Sequence, residues 1–350
     1  MHAVVMHGYG GPEVLEYEEV QTPRPEAGEV LLKVEAVSIN RTLDLAVRSG
    51  TSPFRVTFPH ILGTDPSGIV EAVGPGVGHV EAGQKVAIRS VVHCGECPGC
   101  LANRMCTRTR HIGVECWGGY AEYVVVSQAQ AMTIPDDVDF ADATYIARHF
   151  TMATAQVRAT EVSAGDTVLV MGAAGALGTL LVQLLTMKGA TVIGAAGTDD
   201  RVAHVLEYGA DYAINYRNGD LTERVMDITG GEGVRVVFEN IGDPELWTAA
   251  FNSLAFEGEL ITAGYHGGGV VPLDVRRLHM RRLRVVSTRS PQGGGASPMM
   301  RSELVGDGMR LLQGGTIRAA IGARLPLSEA AEAHRLIERR AIPGKLVLVP

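Results

Sequence analysis

The run from Thr167 to Gly178 constrains this chain most. Thr167-Val168-Leu169-Val170-Met171 is a short apolar and β-branched segment, of the kind that forms a strand buried on both faces. The turn Gly172-Ala173-Ala174-Gly175-Ala176-Leu177-Gly178 follows at once, with glycines in the pattern G-x-x-G-x-x-G, and a helical stretch continues to Lys188. Such glycines permit a tight turn and let the backbone approach a pyrophosphate, which a helix N-terminus favours through its N–H groups and dipole. Glycines alone would suit any strand–helix turn, so the context decides. The rhythm continues: strand Thr191 to Ala195, helix Asp199 to Tyr208, strand Tyr212 to Asn215, helix near 219 to 229, strand Val234 to Glu239, helix near 244 to 253, strand Glu259 to Ala263 and strand Leu283 to Ser287. Alternation of this sort predicts parallel βαβ units, a doubly wound sheet and dinucleotide binding.

Before that run the pattern differs. Val30 to Val34, Gly68 to Val73, Lys85 to Ile88 and Tyr120 to Val126 are short strand-forming segments punctuated by Gly and Pro, which suits a small barrel or sandwich. After the Gly/Ser/Pro stretch Pro291 to Pro298 come a helix near 300 to 313, a strand near 317 to 323, a helix Ser328 to Arg339 and a strand Lys345 to Val349. The 350 residues suit about two domains. A net charge of -8 argues against a nucleic-acid partner, and no stretch is long and apolar enough to span a membrane. The N-terminus lacks the charged and apolar segments of a secretion signal, so a cytoplasmic location is expected.

Two sites are read from residue types. In a nucleotide site the second strand usually ends on an acid that holds a ribose 2′-hydroxyl. Here it ends Ala195-Ala196-Gly197-Thr198, and Asp199 and Asp200 come later, where Thr198 capping a helix would account for them. Small residues leave room for a 2′-phosphate that Arg201 or Arg217 would grip, so NADPH is expected ahead of NADH. The remaining cofactor-binding candidates are Gly172, Ala174, Gly175, Ala176, Leu177, Gly178, Gly197, Thr198, Tyr216, and, after later strands, Asn240, Gly264, Tyr265 and His266. The second site is Cys94-x2-Cys97-x2-Cys100-x5-Cys106, whose density points to one closed, structural Zn2+ rather than to disulfides. Cys116 reads as a small apolar residue, and His93 and His111 as bystanders.

At this point the whole chain resembles the medium-chain dehydrogenase/reductase superfamily. The resemblance is carried by Gly10 to Leu15, Leu62-Gly63-Thr64-Asp65-Pro66-Ser67-Gly68-Ile69-Val70, Gly118 to Tyr123, the glycine turn and Gly344-Lys345-Leu346-Val347-Leu348. It implies an α/β protein with a GroES-like β-rich catalytic domain at 1–127 and 294–350, carrying a zinc lobe at 93–111, and a Rossmann domain at 128–293. In zinc alcohol dehydrogenases of this superfamily a catalytic zinc has three protein ligands. The corresponding positions fall here on Asn40 or Arg41, on Thr64 and near Phe150, none a usual zinc ligand. Asn40 with Asp44 to Gly50 looks like the quinone oxidoreductase branch, which works without that zinc. The cysteine lobe is unusual for that branch, and its last gap is shorter than the family's seven residues.

The resemblance thus implies an NADPH-dependent oxidoreductase that passes hydride to a quinone or an α,β-unsaturated ketone or aldehyde, where charge spreads over the conjugated system. Asn40 is the first candidate for orienting substrate or nicotinamide; Asp65, His149 and Tyr145 follow. A zinc-independent alcohol or ketone oxidoreductase with His149 as proton donor is the second reading, and a non-catalytic NADPH-binding protein the third. A homodimer through the edge strand near Leu283 to Ser287 is also implied.

Overall fold

The structure is a computed structural model that describes residues 1–94, 96–102, 106–265, 267–288 and 298–350, with backbone alone at 298–302. His266 and the glycine-rich stretch Gly293 to Ala296 lie outside the described residues. The chain divides into two compact units, Met1–Thr151 with Pro291–Pro350, and Met152–Ser290. No described helix is long and apolar enough to cross a membrane.

The second unit is a six-stranded sheet. Its strands, numbered along the chain, lie in the order 3-2-1-4-5-6: Tyr212–Asn215, Thr191–Ala196, Thr167–Met171, Val234–Glu239, Leu254–Thr262 and Arg284–Ser287. Every pairing is parallel. This is the doubly wound dinucleotide-binding topology, and its ligand edge is the carboxyl end of the strands. The apolar run Val168–Met171 is fully buried, as a strand covered on both faces must be. The fifth strand begins at Leu254 rather than at the expected Glu259, because Leu254 is fully buried and pairs with Val234 ahead of an irregularity in register.

The first unit is built on the long strand Glu29–Ser38. Its residues pair antiparallel with Asp65–Val73, with Tyr123–Ser127 and, at its end, with Lys345–Val349. Register irregularities on the Asp65–Val73 side let one strand serve several neighbours. Val37 and Ser38 therefore lie between Leu348 and Val347 on one side and Pro66 and Asp65 on the other. The strand expected near 317–323 is Ile321–Pro326, parallel to Lys345–Val349. Helix Leu43–Ser49 follows the loop that carries Asn40.

Residues 128–151, expected in the second unit, pack with the first. Ala131–Thr133 pairs with Lys85–Ile88, and the Ser67 hydroxyl donates to Phe140 O at 2.7 Å. The helix Phe140–Tyr145 then continues through a π-turn, Ile146–Phe150, which carries Arg148 and His149. Such wide turns are rare and cluster at functional sites.

Candidate active site

In the second unit the glycine turn joins strand Thr167–Met171 to helix Ala176–Met187. Gly172 sits at φ +67°, which favours glycine. A Cβ on Gly178 would lie 2.4 Å from Gly172 O and 2.6 Å from Ala173 Cα, so this helix can approach the turn only without a side chain. The helix N-cap is Gly175, which offers no side-chain hydrogen bond, leaving the cap position open to a ligand's oxygens. Ala174, Ala176 and Leu177 complete that turn.

The next strands bring the other candidates to the same edge. A Cβ on Gly197 would meet Tyr216 Oη at 2.7 Å, so the tyrosine ring covers the end of the second strand. Thr198 makes no capping bond to helix Asp199–Glu207, contrary to expectation. Asp199 is instead held by Asn215 Nδ2 at 2.7 Å and Asn218 Nδ2 at 3.3 Å, facing the third strand's loop. Arg201 lies in the helix's first turn, and Arg217 is exposed at the end of the third strand. Asn240 ends the fourth strand with both carboxamide atoms buried and without hydrogen-bond partners. Gly264 packs so closely there that a Cβ would sit 2.1 Å from Asn240 O, while the neighbouring Tyr265 is largely exposed. A buried amide with nothing to bond is costly. It fits a bound cofactor that supplies the partner.

In the first unit a buried polar cluster surrounds Asn40. Its Nδ2 donates to Thr64 Oγ1 at 2.7 Å and to Asp65 Oδ2 at 2.5 Å, and its Oδ1 accepts from Lys345 Nζ at 2.6 Å. Both amide protons are thus used, so Asn40 fixes its neighbours rather than reaching toward a substrate. Asp65 also accepts from Ser38 Oγ and pairs with Arg148 at 3.4 Å, whose other contact is Ser90 Oγ at 3.1 Å. His149 Nδ1 lies 3.3 Å from Tyr145 O, which can only accept, so Nδ1 carries the ring's proton. Burial, with Lys345 and Arg148 adding positive charge, holds the ring's pKa well below its ordinary value. At neutral pH His149 has no second proton to give. The neutral ring speaks against the proton-donor role that the second reading assigns it.

A second chain of bonds anchors the Asn40 loop. Asp44 Oδ2 accepts from Asn40 N at 2.8 Å and from Tyr120 Oη at 3.0 Å. Tyr120 Oη lies 3.1 Å from His334 Nε2, and Arg48 Nη1 lies 3.1 Å from His334 Nδ1. Because arginine only donates, Nδ1 accepts and Nε2–H faces the tyrosine oxygen. Burial, reinforced by Arg48, pushes the His334 pKa down to about 3, so the ring stays neutral. Arg48 closes the chain on Glu338. Sequence reasoning singled out none of Asp44, Tyr120, Arg148, His334 and Lys345 as members of one site.

The cysteine lobe brings four free thiols together. Cys94, Cys97, Cys100 and Cys106 place their sulfurs all within 4.8 Å of one another. Cys94–Cys100 and Cys97–Cys106 are 3.9 Å apart, and Cys94–Cys106 3.5 Å. A tetrahedron with Zn–S bonds of about 2.3 Å has sulfur–sulfur edges of about 3.8 Å, so this donor set fits zinc. The backbone N–H of Thr107 and of Cys100 draw the Cys97 thiol down to about 5, toward the thiolate that a metal requires. Cys116 stands apart, its sulfur 3.7 Å from His111 O.

Residues 176–302 match the zinc-binding dehydrogenase family and residues 26–136 the alcohol dehydrogenase GroES-like domain. A solved NAD-dependent alcohol dehydrogenase superposes with a TM-score of 0.88 and 35% identity, covering 100% of both chains. Quinone oxidoreductase 1 of Escherichia coli (strain K12) is 28% identical over 351 residues, 99% of each chain. The structure of Escherichia coli quinone oxidoreductase complexed with NADPH gives a TM-score of 0.82 and 28% identity over 100% of both chains.

The chain belongs to the medium-chain dehydrogenase/reductase superfamily. It is an oxidoreductase of that superfamily, an α/β protein with a GroES-like unit and a Rossmann unit. The positions that the resemblance aligns with catalytic zinc ligands, Asn40 or Arg41, Thr64 and the neighbourhood of Phe150, carry an amide or a guanidinium, a hydroxyl and a phenyl ring. The amide is already committed to Thr64, Asp65 and Lys345. Such a set does not suit a tetrahedral zinc site.

Proposed function

We propose that this protein reduces conjugated carbonyls, quinones or α,β-unsaturated ketones and aldehydes, at the expense of NADPH and without a catalytic metal. The observation that carries the reading is the Asn40 cluster. It joins Asn40 and Thr64, positions that the family resemblance aligns with zinc ligands, to the Asp65 carboxylate and to the Lys345 and Arg148 cations. A conjugated acceptor needs less polarisation than a simple ketone, since its developing charge is delocalised. Bound NADPH would supply the hydride. Gly172 to Gly178 would cradle its pyrophosphate, Gly197, Thr198 and Tyr216 its adenosine ribose, Arg201 or Arg217 the 2′-phosphate, and Asn240, Gly264 and Tyr265 the nicotinamide half. The likeness to an NADPH-complexed quinone oxidoreductase supports this choice of cofactor.

A ketone or alcohol oxidoreductase is the second reading, favoured by the likeness to an NAD-dependent alcohol dehydrogenase. Oxidation of NADPH and of NADH with a panel of quinones, enones and saturated ketones tests both. Turnover of quinones or enones with a preference for NADPH is expected. Turnover of saturated ketones alone, or a clear preference for NADH, overturns the first reading.

The four-thiol lobe is assigned one structural zinc. Its thiolates persist where thiols stay reduced, so a cytoplasmic location goes with this reading. The edge strand Arg284–Ser287 is largely exposed, as are Val270, Val275 and Met280, which suits a homodimer with pairing of edge strands. Light scattering that gives a monomer mass overturns the dimer.

A further inference from the structure

Lys345 stands out among the charged groups of the first unit. The chain has only four lysines, Lys33, Lys85, Lys188 and Lys345. Lys345 alone of the four is buried, 5% exposed. Among the described residues its ammonium makes one hydrogen bond, to Asn40 Oδ1, and no ion pair. An ammonium carries three donors. Two of its N–H bonds therefore have no acceptor among the described residues, in a place where burial of charge costs several kcal/mol. The charged groups facing it are Asp65 from strand Asp65–Val73, Asp44 from helix Leu43–Ser49 and Arg148 from the π-turn, with the neutral, titratable ring of His149 beside them. Burial outweighs the attraction of Asp65 and Asp44 and lowers its pKa to about 8. Elsewhere the chain relies on arginine for most of its cations, and arginine cannot release a proton in a protein. A lysine at this one buried position can.

We propose that Lys345 is the proton donor and electrostatic anchor for the oxygen of the reduced substrate, with Asn40 holding its ammonium in place. This rests on the reading of the protein as a carbonyl reductase. The acceptor carbon gains the hydride that NADPH supplies, and the π pair shifts through the conjugated system onto oxygen. The N–H bond of Lys345 breaks as the new O–H bond forms. Bound NADPH would supply both electrons and leave as NADP+, the acceptor would take them up with the one proton from Lys345, and the neutral amine would regain its proton from water. A compact cation with free donors thus takes the role that a Lewis acid plays in metal-dependent members of the superfamily.

The test pairs turnover with a binding measurement that needs no turnover. Lys345→Met is expected to lower kcat for quinones and enones by about a hundredfold or more, the usual range for loss of a general acid. NADPH affinity should stay within about twofold. Lys345→Ala should regain activity with added methylamine, a response that a merely structural role would not give. The binding probe is 4-nitrophenolate, a stable oxyanion with the delocalised charge of an enolate, followed by its absorbance. Wild type should bind it, Lys345→Arg should bind it without recovering kcat, and Lys345→Met should bind it about tenfold more weakly or worse. If Lys345→Met does not fold, the 13Cε resonance of Lys345 in wild type, one of four and identified by its loss in Lys345→Arg, should move on adding the phenolate. Unchanged kcat in Lys345→Met, equal phenolate binding in that variant, or a stationary resonance overturns the inference. A wild type that binds the phenolate through Lys345 but reduces no acceptor sinks the carbonyl-reductase reading and leaves the oxyanion site standing.

Discussion

Replacing Asp44 with asparagine should change how the first unit's stability depends on pH, and the structure gives the size of the change. Asp44 is fully buried, and only one of its carboxylate oxygens has partners; Oδ1 has none. Burial, with a smaller push from Asp65, lifts its pKa from 3.8 to about 6 despite its hydrogen bonds and the pull of Lys345. A rise of about two units corresponds to about 3 kcal/mol between the protonation states. The folded pKa lies above the unfolded one. The folded chain therefore keeps this proton over a range in which the unfolded chain has already released it. The contribution is fully present below about pH 4 and is lost as pH rises through about pH 6.

The asparagine variant has no proton to lose at this position. The stability of wild type minus that of Asp44→Asn should accordingly fall by about 3 kcal/mol between about pH 4 and about pH 7.5. Taking the difference cancels other titrating groups. His334 is the important one, since its folded pKa of about 3 makes the protein lose stability as pH falls. The measurement is urea unfolding at a series of pH values, read from tryptophan fluorescence. The chain has two tryptophans, Trp117 in the first unit and Trp247 in the second. A Trp247→Phe background thus isolates the unit that holds Asp44. A difference that stays flat within about 0.5 kcal/mol would show that Asp44 titrates in the folded chain as it does in the unfolded one, a rise with pH would show that its folded pKa is depressed, and either outcome would sink the account of the cluster.

Gly178→Ala should weaken NADPH binding by about tenfold or more, measured by cofactor fluorescence, because its Cβ meets backbone at 2.4 Å and the glycine turn must open. Unaltered affinity would mean that the turn does not hold the pyrophosphate. Elemental analysis should find about one zinc per chain, and its removal by a chelator should lower the melting temperature of the first unit while leaving Trp247 in its native environment. A zinc-free protein that melts at the same temperature would refute a structural metal at the four cysteines.

The second unit was the more legible of the two in the sequence. Strands Thr167–Met171, Tyr212–Asn215 and Val234–Glu239 run over the residues expected of them. Parallel strands covered on both faces are apolar throughout and bounded by helices, so their ends are written locally. The first unit hid more. Strand Glu16–Glu19 is mostly charged and mostly exposed, and nothing in its composition marks it as a strand. Helix Leu43–Ser49 spans only seven residues, too few for a periodicity to declare itself. The π-turn Ile146–Phe150 has no sequence signature at all, although it carries both Arg148 and His149.

The candidate site divides along the same line. The glycine turn and the four cysteines are short-range patterns, and spacing alone brought their members together. The Asn40 cluster is built from contacts across great sequence distance: Asn40 to Asp65 spans 25 residues, Asp65 to Arg148 spans 83, and Asn40 to Lys345 spans 305. Lys345 was visible only as the polar start of a closing strand, Lys345–Val349, and lysine is almost never fully buried unless paired. Its burial follows from topology. That strand's later residues, Val347 and Leu348, pair with Ser38 and Val37 at the end of the long strand that leads into Asn40. The fold thus returns the C-terminus to the loop where the resemblance had looked for metal ligands. The residue it delivers is a cation held by an amide oxygen. For this reason the residue types at those positions were readable from the sequence while the ammonium that the fold brings to Asn40 was not, and in the proposed reaction the chemistry turns on whether that ammonium gives up its proton.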